Sequence, residues 1–529
     1  MKIRVIGKRL SEIIMRLCRS LMLRSLFVLF IPLVRPSGMI FASEQQCADF
    51  IRRSGVHLLC GGKPFYAIGV NSYFLQNIAA YGDTTHVIEV FREATDLGMT
   101  TLRTWGFSDC SDSATVNGIQ WAPGRFNERG LRALDYVVSK ARQFSIRLII
   151  TLVNNWEDYG GMNQYIRWYA HLHPPEVTMG KAIAQRLVTG EEGRFYRYSI
   201  AGSLTHDDFY TNPSIRQWYR DYVSMIVYRV NALTGTPYGE EPSILAWELA
   251  NEPRSSDPSG DIVAGWVDEM SSYLKSIDDA HLVSAGEEGL DCSPDLYRPD
   301  DLYNGQTWLF DGTGGSSYSR ITALPNIDIA SIHLYPEGWH LSINQALTWL
   351  NDHQRIADAR QKPLILGEVG IRRWRNQFYP IIFNEAYYQN TAGTLLWQFV
   401  YDGRPDNQRF AFSCPNDTGP CGTIRDYAAK FRANRTGSPV LPSDTRLLAN
   451  YPNPFNQLTI IPYNLSEQSF VRIEVFSAIG QLITLLFEGE ELPGRHLTLF
   501  DGTRLASGMY VVRLSANGVV GSHKICLMK

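Results

Sequence analysis

Two glutamates stand at the ends of apolar runs: Glu252 in ILAWELANEPR (244–254) and Glu368 in PLILGEVG (363–370). Burying a carboxylate is costly unless it is paired or put to use. A pair of carboxyls facing each other is the apparatus of glycoside hydrolysis. One stays protonated to donate to the leaving oxygen; the other is ionised, to attack the anomeric carbon or activate water. Other residues of suitable chemistry accompany them. Asn251 stands beside the first acid, where it can hydrogen-bond a sugar hydroxyl. Arg103 in TTLRTW can hold a nucleophile ionised by proximity. Tyr335 can donate to a carboxylate, and Trp397 offers a flat apolar floor.

Each residue taken singly has a plainer explanation. A lone strand-end glutamate is more often half of a structural ion pair, and His333 alone is more often a satisfied core or surface histidine. The joint pattern, in order along the chain, is what favours catalysis. The first run also holds Glu248. On a regular strand it shares parity with Glu252 at a separation of about 13 Å. Glu248 is therefore expected to be a buried structural acid with an interior polar partner, and not a second catalyst.

The elements that position these residues alternate. Candidate strands are PFYAIGVN (64–71), TTLRTW (100–105), IRLIITLVN (146–154), SILAWEL (243–249), HLVSAG (281–286), IDIASIHLY (327–335), PLILGE (363–368) and GTLLWQF (393–399). Amphipathic segments such as VIEVFREATDLG and LRALDYVVSKARQF separate them. Eight strands alternating with helices predict a parallel sheet closed as a (β/α)8 barrel, a TIM barrel of the α/β class. Nearly every strand ends in a polar or aromatic residue: Asn71, Arg103 with Trp105, Asn154 with Asn155, Glu252, Glu287, His333 with Tyr335, Glu368 and Trp397. Barrel active sites lie at the C-terminal strand ends, so the clustering points to an enzyme.

After residue 437 the character changes. The stretch 438–447 reads as a Gly/Pro/Ser linker, and 448–529 as short alternating runs separated by turns, a small C-terminal antiparallel β-sandwich. It carries no clustered acids or histidines and no tryptophan, which disfavours a sugar-binding module. At the other end, scattered Arg and Lys precede LFVLFIPLV (26–34) and small residues at Ala42 and Ser43. That is the layout of a secretory signal peptide over 1–43, with Met15 or Met22 as alternative starts. Nine apolar residues are too few to span a bilayer, so no stable membrane insertion is expected.

A formal net charge of −3 over 529 residues gives no case for nucleic acid. Of eight cysteines, Cys18 falls in the leader; Cys414 and Cys421 flank a turn-rich loop and are the expected disulfide, with further connectivity open.

TTLRTWGF, ILAWELANEPR, SIHLYPEGW, PLILGEVG and GTLLWQF, in this order, resemble glycoside hydrolase family 5. NNWEDYGGMNQYIRW (154–168), the run 207–254 and GEEG (286–289) resemble its endo-β-1,4-mannanase branch. The resemblance implies a secreted or cell-surface enzyme acting on β-mannan with retention, Glu252 as acid/base, Glu368 as nucleophile, and no metal or organic cofactor. It places Arg103, Asn251, His333, Tyr335 and Trp397 around the −1 sugar, and Trp105, Asn155 and Trp156 along the cleft. Glu288 falls in a family motif where a ligand contact and a loop-holding role are both open. A cellulase and an exo-β-mannosidase share this catalytic set and remain alternatives; a non-catalytic carbohydrate-binding protein is a distant third. The segment 171–206 is longer than the branch implies and is expected over the cleft. NYPNPFNQLTIIPYNL, VFSAIGQLI and LASGMYVVRL resemble a type A sorting domain of the type IX secretion route, with the secretion machinery as partner. A monomer is expected.

Overall fold

The computed structural model describes residues 47–173, 199–201, 204–297, 306–404, 409–414, 416–433 and 441–529. The expected leader over 1–43 lies outside the described residues, as does most of the 171–206 segment.

Eight parallel strands form the central sheet: β1 (Ala67–Asn71), β2 (Thr101–Trp105), β3 (Arg147–Thr151), β4 (Ile244–Glu248), β5 (Leu282–Ser284), β6 (Ala330–Leu334), β7 (Leu364–Val369) and β8 (Gly393–Leu396). Their hydrogen-bonded order is β5-β4-β3-β2-β1-β8-β7-β6. A parallel bridge between Ser284 and Ile329 joins the two free edges and closes the ring. Every residue of the eight strands is buried. Burial on both faces accounts for runs that read as continuously apolar rather than alternating.

Helices cover the outside. They include α1 (Thr84–Asp96), α2 (Glu128–Phe144), α3 (Gly161–Leu172), α4 (Pro213–Tyr228), α5 (Asp261–Ile277), α6 (Ile343–Ala359), α7 (Arg375–Tyr388) and α8 (Thr418–Ala433). Their starts are legible locally. Asn212 caps α4 ahead of Pro213, and Ser342 with Gln345 forms a reciprocal capping box on α6.

A three-stranded antiparallel patch, Ile51–Ser54, His57–Cys60 and Lys63–Phe65, plugs the end of the barrel away from the strand C-termini. Its Ile51 and Leu58 pack with Ile149, Leu245, Leu282, Ile365 and Leu395. A Cys47–Cys60 disulfide holds it, and the expected Cys414–Cys421 disulfide is present. Cys110, Cys292 and Cys526 are free among the described residues.

The C-terminal region has β9 (Arg446–Leu447), β10 (Leu458–Leu465), β11 (Ser469–Ser477), β12 (Leu482–Glu491), β13 (Gly494–Asp501), β14 (Gly508–Ala516) and β15 (Val519–Leu527). They make two antiparallel sheets, β9-β10-β13 and β12-β11-β14-β15, around Ile461, Val471, Val512, Leu514 and Ile525. The sandwich rests on the barrel through α7: the Asn384 side-chain amide donates to the Arg495 carbonyl at 2.5 Å. Asn344 of α6 donates to the Leu486 carbonyl at 2.8 Å. No helix among the described residues is long and apolar enough to cross a membrane.

Candidate active site

At the mouth of the barrel the strand ends converge on Arg103, whose side chain is 1% exposed. All five of its N–H groups are engaged. Nε and Nη2 donate to Glu248 Oε1 at 2.8 and 2.5 Å, and Nη2 donates to Asn251 Oδ1 at 2.8 Å. Nη1 donates to Glu368 Oε1 at 2.7 Å and to Asn71 Oδ1 at 3.0 Å. One guanidinium from β2 thus fixes groups from β1, β4 and β7. Glu248 also accepts from Thr151 at 2.7 Å. It is the buried acid with interior polar partners that its position on β4 predicts. Its partner is the same arginine that holds Glu368.

The strand reading differs at one point. β4 is regular only to Glu248, whereas the apolar pattern runs on through Leu249 and Ala250 towards Glu252. Beyond Glu248 the chain leaves the regular ladder. Asn251 bridges Asn154, and Glu252 adopts a left-handed backbone with φ of 54°. Gly286 permits this departure: at φ 75°, a Cβ there would run into the Ala250 carbonyl and the Glu248 side chain. A spacing of about 13 Å belongs to a straight strand, and the chain between Glu248 and Glu252 is not one.

Glu252 and Glu368 meet at the mouth. One oxygen of each carboxyl and a nitrogen of His333 all lie within 4.8 Å of one another. Glu252 Oε1 is 2.6 Å from His333 Nδ1, and its Oε2 accepts from Trp156 Nε1 at 2.5 Å. Glu368 Oε2 accepts the Tyr335 hydroxyl. A Cβ on Gly370 would overlap the Tyr335 ring, so the bare backbone there leaves room for that ring.

Burial raises both carboxyls above the ordinary glutamate range. Each then meets opposing forces. His333 and Arg103 pull Glu368 back down, and Arg254, Trp156 and Arg103 do so for Glu252. Burial also lowers His333, keeping its ring neutral at neutral pH. The expectation that Arg103 holds Glu368 low is outweighed by burial, although Arg103 and His333 both act in the expected direction. Glu252, Glu368 and His333 are close enough to ligate a cation. The 2.6 Å separation of His333 from Glu252 is instead that of a short hydrogen bond.

The other expected residues surround this centre. Trp397 is half-buried and stacks on Tyr73, centroids 5.3 Å apart at 11°. Trp105 is only 5% exposed and packs against Tyr73 and Tyr159. Asn155 is buried; its Oδ1 lies 2.9 Å from His206 Nε2 and accepts the Arg254 backbone N–H at 3.2 Å. Trp156 is 37% exposed, with the Arg254 guanidinium over its ring at 5.4 Å. Glu288 is taken by Arg254 in a two-pronged pair at 2.6 and 2.7 Å. Sequence reasoning missed Tyr73, His206 and Arg254. Arg254 had a readable signal, since it directly follows Asn-Glu-Pro.

Residues 48–403 match the family model described as GH family 5 beta-mannosidase-like, and 449–528 match the secretion system C-terminal sorting domain. The chain is 35% identical over 389 residues to mannan endo-1,4-beta-mannosidase 2 of Oryza sativa subsp. japonica, covering 69% of this chain and 80% of that protein. The endo-beta-1,4-mannanase structure from Thermotoga petrophila superposes with a TM-score of 0.62 at 29% identity, covering 88% of this chain and 98% of that one. The endo-1,4-beta-mannanase of Rhizomucor miehei superposes with a TM-score of 0.60 at 30% identity, covering 73% and 100%.

Proposed function

This chain belongs to the β-mannosidase-like group of glycoside hydrolase family 5, and on that premise we propose that Glu252 and Glu368 perform its retaining, endo-acting hydrolysis of β-1,4-mannosidic linkages. The observation that carries the assignment is the approach of the two carboxyls to within 4.8 Å, oxygen to oxygen. Retaining enzymes hold their carboxyls about 5–5.5 Å apart, whereas inverting ones leave about 6.5–9.5 Å for a water.

Glu368, the carboxylate gripped by Arg103 and Tyr335, attacks the anomeric carbon. Glu252, held against neutral His333 and Trp156, carries the proton and gives it to the departing oxygen. The glycosyl ester then consumes the Glu368 charge. Repulsion between the two carboxyls is gone, Glu252 becomes more acidic, and it is ready to take a proton from the incoming water. Asn251 Oδ1 is tied to Arg103, and its amide nitrogen donates to Asn154 Oδ1 at 3.0 Å. That orients the group beside the −1 sugar, while Trp397 supplies the apolar floor. Asn155 and Trp156 line the cleft.

The division we propose is a leader over 1–43, a catalytic domain over 44–437, a linker over 438–447 and a sorting domain over 448–529. The sorting domain indicates export; type IX machinery as its reader, and a monomeric product, complete the reading.

The decisive experiment measures hydrolysis of mannan, glucomannan and carboxymethyl cellulose together with the products from mannohexaose. Internal cleavage of the mannans with little action on the cellulose derivative is expected. Release of mannose alone would overturn the endo assignment. Glu368→Ala should abolish turnover. Glu252→Gln should slow polysaccharide hydrolysis by about 10²–10⁴-fold, and much less with an aryl mannoside whose leaving group needs no proton.

A further inference from the structure

The loop between β3 and α3 carries Trp156 and is built to hold it in one place. Asn154 Oδ1 accepts the Trp156 backbone N–H at 3.1 Å and the Asn251 side-chain amide at 3.0 Å. One asparagine thus joins this loop to the segment that bears Glu252. The loop then turns back through Gly160 and Gly161, at φ of 90° and 56°. A Cβ on Gly161 would lie 2.3 Å from the Asn154 carbonyl oxygen and 2.7 Å from that of Trp156; one on Gly160 would run into the Asp109 carbonyl. Only glycine permits so close a fold at these angles. The Met162 N–H closes it on the Asn154 carbonyl at 2.8 Å.

Held in this way, the exposed indole turns its Nε1 inward and donates to Glu252 Oε2 at 2.5 Å. His333 Nδ1 stands at the other oxygen, Oε1. An indole nitrogen donates and never accepts. It therefore favours the form of Glu252 that accepts best, the carboxylate, since hydrogen bonds to an ionised acceptor are about twice as strong as neutral ones. The bond tightens as Glu252 gives its proton away. A contact that is stronger in the transition state than before it accelerates the step. The same carboxyl is faced by Arg103 from β2, Glu248 from its own strand, Arg254 just beyond it and Glu288 from the loop after β5. His333 of β6, Tyr335 just after it and Glu368 of β7 complete the surroundings. Arg254 and Arg103 favour the ionised form, and Glu248 opposes it.

We propose that Trp156 is a positioning residue for the acid step, its N–H steadying the negative charge that forms on Glu252 as the proton passes to the departing oxygen. The role rests on the reading of Glu252 as the acid. In that step the Glu252 O–H bond breaks and its electron pair stays on the carboxylate that the indole N–H faces. The proton bonds to the glycosidic oxygen, which takes the electrons of the breaking C–O bond while Glu368 forms the ester.

The test compares two aryl β-mannobiosides on the full chain, one releasing phenol and the other 2,4-dinitrophenol. Phenol needs a proton to depart; dinitrophenolate does not. In Trp156→Phe, kcat/KM should fall about tenfold on the phenyl substrate. On the dinitrophenyl substrate it should stay within about twofold, which also shows that the variant is folded. Trp156→Leu, which lacks the donor too, repeats the comparison should Trp156→Phe fold poorly. The basic limb of the kcat/KM profile, where Glu252 loses its proton, should move to higher pH in the variant, because the ionised form has lost a donor. Equal losses on both substrates, or an unmoved basic limb, would overturn the role. Glu252→Gln on the same pair separates the two readings. If Glu252→Gln discriminates the substrates and Trp156→Phe does not, this inference alone fails. If Glu252→Gln does not discriminate them, the assignment of Glu252 fails and this inference with it.

Discussion

Arg103 is the residue on which the site turns, and it holds Glu248 and Glu368 with the same guanidinium. Two of its five donors go to Glu248 and one to Glu368. Replacing Glu248 by Gln removes one buried negative charge, and with it the repulsion it exerts on the proposed catalytic pair. Both Glu252 and Glu368 lie above the ordinary glutamate range because of burial, and Glu248 adds to the elevation of Glu252. With that charge gone, both should become more acidic. The acid limb of kcat/KM, where Glu368 must be ionised, and the basic limb, where Glu252 must be protonated, should move to lower pH together. A Glu248→Gln profile with reduced height but unmoved limbs would show that Glu248 only supports packing. At this scale the sequence was informative where a polar group interrupts an apolar run, as with Glu252, Glu368, Arg103 and His333. It was mute about which partners tertiary folding supplies. Arg254 could not be matched to Glu288, nor Asn155 to His206, because those contacts join separate loops.

The strands were readable from their uninterrupted apolar character, and their parity placed Glu248 inside the barrel. The irregular stretch after it was not readable, because the left-handed backbone of Glu252 is imposed by the neighbouring Gly286 turn rather than by its own residue type. The patch beneath the barrel was also hidden: its three strands are three or four residues long, and eight cysteines do not specify a pairing. That patch has a measurable role. Breaking Cys47–Cys60, a loop of 13 residues in sequence separation, should cost about 3 kcal/mol on the chain-entropy model. Cys47→Ser with Cys60→Ala should lower the melting temperature while leaving kcat on mannan unchanged, since the disulfide lies at the opposite end of the barrel from the chemistry. A matching fall in kcat would mean that the plug also sets strand positions at the mouth.

For the whole molecule, the division into barrel and sandwich followed from the change in patterning after residue 437, but nothing in the sequence showed that the two would pack together. Ile460 and Leu497 of the sandwich join the barrel's own hydrophobic core, and Gly494 sits against the Tyr388 ring. A chain ending at Gly437 would expose that face of α7. It should keep mannan turnover within about twofold, yet melt several degrees lower and aggregate more readily on heating. An unchanged melting temperature would mean that the contact contributes nothing to stability.

The closure of the barrel has a consequence of its own. Seven of its neighbouring strand pairs are joined by ladders of three to five paired residues. The eighth, β5 against β6, rests on the Ser284–Ile329 bridge, with the Asp328 and Ile329 N–H groups sharing the Val283 carbonyl. Near the mouth the next fastening is the His333 N–H to the Glu288 carbonyl, at 3.0 Å. The cylinder therefore has one weak seam, and the histidine that touches the acid stands on its lip. In solution the seam is where the wall should breathe first, so amide protons of Ile329 and His333 should exchange faster than those of β2 or β3. A long polymer lying across the mouth and holding Glu252 and His333 together would damp that breathing, and slower exchange along this one line would register its binding.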